Sequence, residues 1–111
     1  MTGMTRKRLF QGFICLHILN QANNEPFFGS WLIEQLSEIG YKLSPGTVYP
    51  ILHSMEQEGL IVHHFENVDG KARKYYSITN EGRTELRQAH SYMLELTDSI
   101  AQDLTDASAT G

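Results

Sequence analysis

One cysteine, three prolines and one tryptophan are scattered through 111 residues. A single cysteine excludes an intrachain disulfide and a four-cysteine zinc site. Cys15 lies among Phe13, Ile14 and Leu16 and reads as a small buried hydrophobe. A redox-sensing thiol is the competing reading, and it lacks a partner cysteine. No hydrophobic run is long enough to cross a bilayer. The most apolar stretch, LFQGFICLHIL from Leu9 to Leu19, is interrupted by Gln11 and His17 and falls well short of about 20 residues. It follows Arg6-Lys7-Arg8 and so loosely mimics a signal peptide, but no small-x-small cleavage pattern comes after it. A cytoplasmic location is expected. Nucleophile elbows, phosphate loops and paired-carboxylate motifs are missing, so no enzyme activity is expected. The histidines His17, His53, His63, His64 and His90 form no metal-ligand spacing. Neither metal nor cofactor is expected.

Excess positive charge is also missing. The net charge is −4, which disfavours indiscriminate binding to polyanions. Its distribution matters more than its sum. Residues 1–89 contain nine Lys/Arg and nine Asp/Glu, and the whole excess comes from Glu95, Asp98, Asp103 and Asp106. An acidic end can mask a locally basic surface elsewhere.

What is present is clear punctuation. From about Thr5 to Gln21 apolar residues are dense on nearly all sides, predicting a well-buried helix that ends before Pro26. Leu32, Ile33, Leu36 and Ile39 predict a second helix over Gly29–Ile39, stopped by Gly40. Ser44 is placed to cap a third helix, with Pro45 at its first position and Gly59 at its end. Val48, Ile51, Leu52 and Met55 form the core face of that helix. With Ser44 as the cap, Pro50 sits inside the helix and the Gly46 carbonyl loses its usual partner; with Thr47 as the cap instead, Pro50 would fall in the tolerated first turn. "LIVHHFEN" and "KARKYYSI" predict two strands, joined by a tight turn at Asp69-Gly70. A lone hairpin is barely stable and must lean on the helices. Thr79 caps a long helix to about Leu104, with Leu86, Ala89, Met93, Leu96 and Ile100 alternating by three and four. "TDASATG" lacks large apolar residues and predicts a flexible tail over 105–111.

The fold class is thus mainly α with a two-stranded β-hairpin. The element order is that of a winged helix-turn-helix over 1–79, followed by a long C-terminal helix over 80–104. In such a fold the third helix enters the DNA major groove and the hairpin is the wing. Lys71, Arg73 and Lys74 cluster on that wing and suit phosphate, although charged residues also keep edge strands soluble. The winged core offers little surface to a stripe as long as that of the last helix, so the stripe predicts a homodimer. Its expected interface is Phe10 and Phe13 of the first helix with Leu86, Ala89, Met93, Leu96, Ile100 and Leu104.

Four motifs carry a resemblance. They are "PFFGSWLIEQL" at 26–36, "LSPGTVYPILHSMEQEGLI" at 43–61, "GKARKYYSITNEG" at 70–82, and the helix after it. Together they resemble the PadR family of bacterial transcription regulators, in the short form with one C-terminal helix. The chain departs from that family's pattern at Ser30 and Trp31, and His53 and Gln57 stand where basic residues are common.

The resemblance implies a homodimeric repressor that binds double-stranded DNA at a palindromic operator. It also implies release by a small hydrophobic or aromatic effector. It places Thr47 and Tyr49 against DNA, lets Gly46 approach a phosphate, and adds Lys42, Ser44 and His53 around them. It puts Lys71, Arg73 and Lys74 in or beside the minor groove. Trp31 lies off its helix's apolar stripe. It reads either as ordinary partial burial or as a flat wall for an aromatic effector. The acidic balance motivates one alternative, a winged-helix module that binds protein and not DNA.

Overall fold

The structure, a computed structural model, describes residues 3–110, with side chains through Asp106. Its elements run α1 (Gly3–Asn24), β1 (Phe27–Phe28), α2 (Gly29–Glu38), α3 (Pro45–Gln57), β2 (Ile61–Val68), β3 (Lys71–Ile78) and α4 (Asn80–Thr110). The core is one apolar cluster. Ile14, Ile18, Leu19 and Ala22 of α1 meet Leu32 and Leu36 of α2 and Val48, Leu52 and Met55 of α3. Phe27, Ile61 and Tyr76 close it from the sheet.

Both α2 and α3 stop at a left-handed glycine. After α2 the Gly40 N–H donates to the Ser37 carbonyl and the Tyr41 N–H to that of Leu36. After α3 the Gly59 and Leu60 N–H groups repeat this on Glu56 and Met55. Each pair of bonds satisfies carbonyls that a helix end would otherwise orphan. Ile39 falls at the α2 cap and is exposed, so it does not join the inward stripe expected of it.

The hairpin turns at Asp69-Gly70, with φ of 52° and 81°, as a tight turn between twisted strands requires. It is not a lone hairpin. Phe27 and Phe28 add a third antiparallel strand, giving the order β1-β3-β2, with Phe27 paired to Tyr76 and Phe28 to Tyr75. Two residues directly after Pro26 carry no alternation for a sequence pattern to detect. Tyr76 and Phe27 also stack, with ring centroids 5.8 Å apart, and this seats the sheet on the helices.

Thr79 caps α4. Its side-chain oxygen accepts from the Gly82 N–H at 2.9 Å, and its hydroxyl donates to the Gly59 carbonyl. The helix passes Leu104, the boundary read from the sequence, and continues to Thr110. At about 1.5 Å per residue its 31 residues reach roughly 46 Å, so it projects well beyond a core of this size.

Of α1, only the half beginning at Ile14 enters the core. Residues 3–13 are exposed, including Leu9, Phe10 and Phe13, contrary to the well-buried helix expected from its apolar density. Density shows that a surface is apolar; it does not say what covers it. None of the described helices is long and apolar enough to cross a membrane.

Candidate nucleic-acid interface

The amino-terminal end of α3 is built by Ser44, Pro45 and Pro50. Ser44 is extended (φ −82°, ψ 159°), and its carbonyl accepts from the Thr47 and Val48 N–H groups. Its side chain makes no cap to the backbone and instead lies 3.4 Å from the Thr47 hydroxyl. Pro45 takes the first helical position, where its missing N–H costs nothing. Pro50 lies inside the helix, so the Gly46 carbonyl has no i+4 donor. Gly46 and Pro50 are both exposed, so water can serve that carbonyl.

Two faces of α3 then separate. Val48, Leu52 and Met55 are buried, while Gly46, Thr47, Tyr49, Pro50 and His53 face outward. Lys42 and Ser44 are exposed just before them. Sequence expectation and structure agree on which side of this helix is free.

Tyr49 is held from below by α2. A Cβ on Gly29 would lie 2.6 Å from the Tyr49 ring and from its hydroxyl, so the ring rests where Gly29 has no side chain. Phe28, Gly29, Ser30 and Tyr49 face Ala72, Arg73, Lys74 and Tyr76 across a cleft of about 220 Å³. The Arg73 guanidinium stands 4.3 Å from the centre of the Phe28 ring, and the Lys74 ammonium 5.3 Å from that of Tyr76. Such contacts restrain a flexible cation while leaving its hydrogen-bond donors free. The fold therefore brings Tyr49, Arg73 and Lys74 together, and Lys71 stays exposed at the hairpin tip. Gly29 and Ser30 were not among the site residues expected from sequence. No local pattern links position 29 to position 49.

A second link ties α3 to the wing. The Glu56 carboxylate accepts from the His63 N–H at 3.0 Å and also contacts the His63 ring Nδ1. Partial burial pushes the Glu56 carboxyl up, but the His63 hydrogen bonds and the nearby Lys74 outweigh it and hold the group below its ordinary range. His64 turns to the other face, contacting Glu66 at 3.0 Å and stacking on Tyr75.

The remaining expected residues lie elsewhere. Leu86, Ala89 and Met93 are half-buried where α4 crosses α1, and Leu86 packs against the core. Phe10, Phe13, Leu96, Ile100 and Leu104 are exposed. Between α1 and α4 lies a mainly apolar groove of about 470 Å³, lined by Phe13, Leu16, His17, Leu86, His90 and Met93, among others. Trp31 is not part of that lining; it is half-buried against the core. Burial, followed by the charge of Glu58, pushes the Cys15 thiol up, which disfavours the reactive thiolate. Among the described residues no three His, Cys, Asp or Glu side chains gather to hold a metal ion.

Comparison with known proteins follows the same lines. Residues 16–88 match the family described as Transcriptional regulator PadR-like. The chain is 44% identical over 81 residues to the transcriptional regulator Rv3488 of Mycobacterium tuberculosis, covering 73% of this chain and 76% of that one. A PadR-like transcriptional regulator of Bacillus cereus superposes with a TM-score of 0.80 at 27% identity, over 87% of this chain and 96% of that one. A PadR family regulator of Eggerthella lenta gives 0.76 at 30% identity, over 91% and 89%.

Proposed function

The chain belongs to the PadR-like family of transcriptional regulators and is a DNA-binding regulator, not an enzyme; from that premise we propose that it is a homodimeric, effector-released repressor. The observation that carries this reading is the joint surface of α3 and the wing. Thr47, Tyr49 and His53 are exposed on α3, and Arg73 and Lys74 stand beside Tyr49 on the same cleft. A helix entering the major groove with a cationic hairpin beside it divides the work. The helix side chains meet bases, and the cations meet phosphates.

Dimerisation is supported by the apolar surface that one chain leaves open. Leu96, Ile100 and Leu104 on α4 and Phe10 and Phe13 on α1 are each at least 43% exposed. Large apolar side chains left in water favour a partner that covers them. A second copy covers it symmetrically and presents two α3 helices to a palindrome, about 34 Å apart. The α1–α4 groove suits a small hydrophobic effector. A ligand wedged between those helices favours one angle of α4 over another and so alters the spacing of the two heads. Operator release follows when the preferred spacing is wrong. Such a regulator works in the cytoplasm.

A salt titration tests the reading. The DNA upstream of the chain's own gene should bind with log K falling against log salt by about 0.9 for every phosphate contacted. Flat or absent binding refutes it and leaves the protein-binding alternative.

A further inference from the structure

Arg6-Lys7-Arg8 has no role in the reading above, yet α1 carries part of it to a definite place. Arg6 and Lys7 line one wall of a groove of about 320 Å³ whose other wall is Leu43, Thr47 and Ile51. Thr47 is the exposed residue in the first turn of α3. All three cations are exposed, and none is paired with a carboxylate among the described residues.

The charge on α3 itself makes this placement informative. Pro45–Gln57 contains no lysine or arginine, and Glu56 is its one charged residue. A helix that must lie close to phosphates then has cations only beside it. Arg73 and Lys74 supply them on the Tyr49 side, across the cleft to the wing. Arg6 and Lys7 supply them on the Thr47 side.

We propose that Arg6 and Lys7 are a second phosphate-binding element, contacting the DNA backbone on the α1 side of α3. This rests on the reading that α3 docks on DNA. Continuity with the α3 surface and charge complementarity select the occupant. The competing occupant is the acidic end of a second copy's α4.

The test compares R6Q/K7Q with R8Q and the unaltered protein. Glutamine keeps the helix propensity of these positions close to that of arginine and lysine. Arg8 is the matched control: it carries the same charge but does not line the groove. Binding is measured by fluorescence anisotropy across a salt series on two duplexes of equal length, the DNA upstream of the chain's own gene and an unrelated sequence. R6Q/K7Q should flatten the log–log slope by about 1.8 per protomer, two contacts at about 0.9 each, and by the same amount on both duplexes. R8Q should leave the slope unchanged.

An unaltered slope in R6Q/K7Q overturns the proposal. So does a loss in R8Q about half as large, the same per charge removed, which would reflect net charge alone, or conversion of R6Q/K7Q to monomers in sedimentation, which would favour the acidic helix as occupant. If the unaltered protein binds neither duplex, the α3 reading itself falls, an outcome distinct from the others.

Discussion

Gly82→Ala is the substitution on which local and tertiary reasoning disagree in sign. Gly82 lies in the first turn of α4, and glycine in a helix is worse than alanine by about 1 kcal/mol. Local reasoning alone therefore expects stabilisation. The surroundings forbid it. A Cβ at Gly82 would lie 2.1 Å from the Leu60 carbonyl oxygen and 2.7 Å from Ile78 Cγ1.

The Leu60 backbone cannot easily retreat. Its N–H is bonded to the Met55 carbonyl, its carbonyl accepts from the Thr79 N–H, and Thr79 also bonds the neighbouring Gly59 carbonyl. Moving Gly82 away would break its bond to the Thr79 side chain instead. Overpacking of this kind costs about 1–3 kcal/mol, and a lost cap adds about 1 kcal/mol. Subtracting the propensity gain leaves a net loss of about 1–3 kcal/mol.

For a domain of this size that loss corresponds to a fall in Tm of roughly 5–15 °C. Thermal unfolding followed by circular dichroism, at one fixed protein concentration, reads it. Gly12→Ala is the contrast. Gly12 lies in exposed helix with nothing within 4 Å of an added Cβ, and it should gain up to about 1 kcal/mol. An equal or higher Tm for Gly82→Ala would refute the account of how α4 is seated.

The other predictions concern the surface. Gly29→Ala places its Cβ 2.6 Å from the far end of the Tyr49 side chain, which can swing away; the fold should persist while DNA affinity drops about tenfold, the size of one charge-assisted hydrogen bond. Undiminished anisotropy-measured affinity would mean that the seat of Tyr49 is irrelevant. Leu96→Glu alters an exposed position, so the protomer should stay folded while dimerisation weakens by about 2 kcal/mol, roughly thirtyfold, in sedimentation equilibrium. A dimer of unchanged strength would place the interface elsewhere. Glu56 has a lowered native pKa, so its contribution to stability is present above pH 4.5 and lost as pH falls through the native value. Denaturant midpoints of Glu56→Gln should therefore fall less steeply on the acid side; parallel curves would show that the His63 link adds nothing.

The fold was legible from punctuation more than from composition. Gly40 and Gly59, Ser44 with Pro45, Asp69-Gly70 and Thr79 each mark a boundary, and each acts within about six residues of chain. The exposed face of α3 was legible too, since Val48, Leu52 and Met55 recur at helical spacing and leave Thr47, Tyr49 and His53 outside. Strand β1 was not legible. Phe27-Phe28 is too short to show a period, and it is a strand only because Tyr75 and Tyr76 are there to pair with it. Ile39 fits the α2 stripe by spacing alone, yet the helix ends at Glu38 and leaves it exposed.

By itself the sequence determined that Gly40 and Gly59 close α2 and α3, that Ser44 and Thr79 open α3 and α4, how the hairpin turns, and which face of α3 stays free. These are near-neighbour matters, settled by caps, left-handed glycines and periodicity. Only the tertiary structure decided that Tyr49 rests on Gly29, that Glu56 joins His63, that Gly82 has no room for a methyl group, and that Arg6 and Lys7 stand beside Thr47. Apart from Glu56 and His63, which lie seven residues apart across the end of α3, those pairs bring together residues far apart along the chain. Their meeting depends on how the helices and sheet pack around a shared core, which no local spacing records.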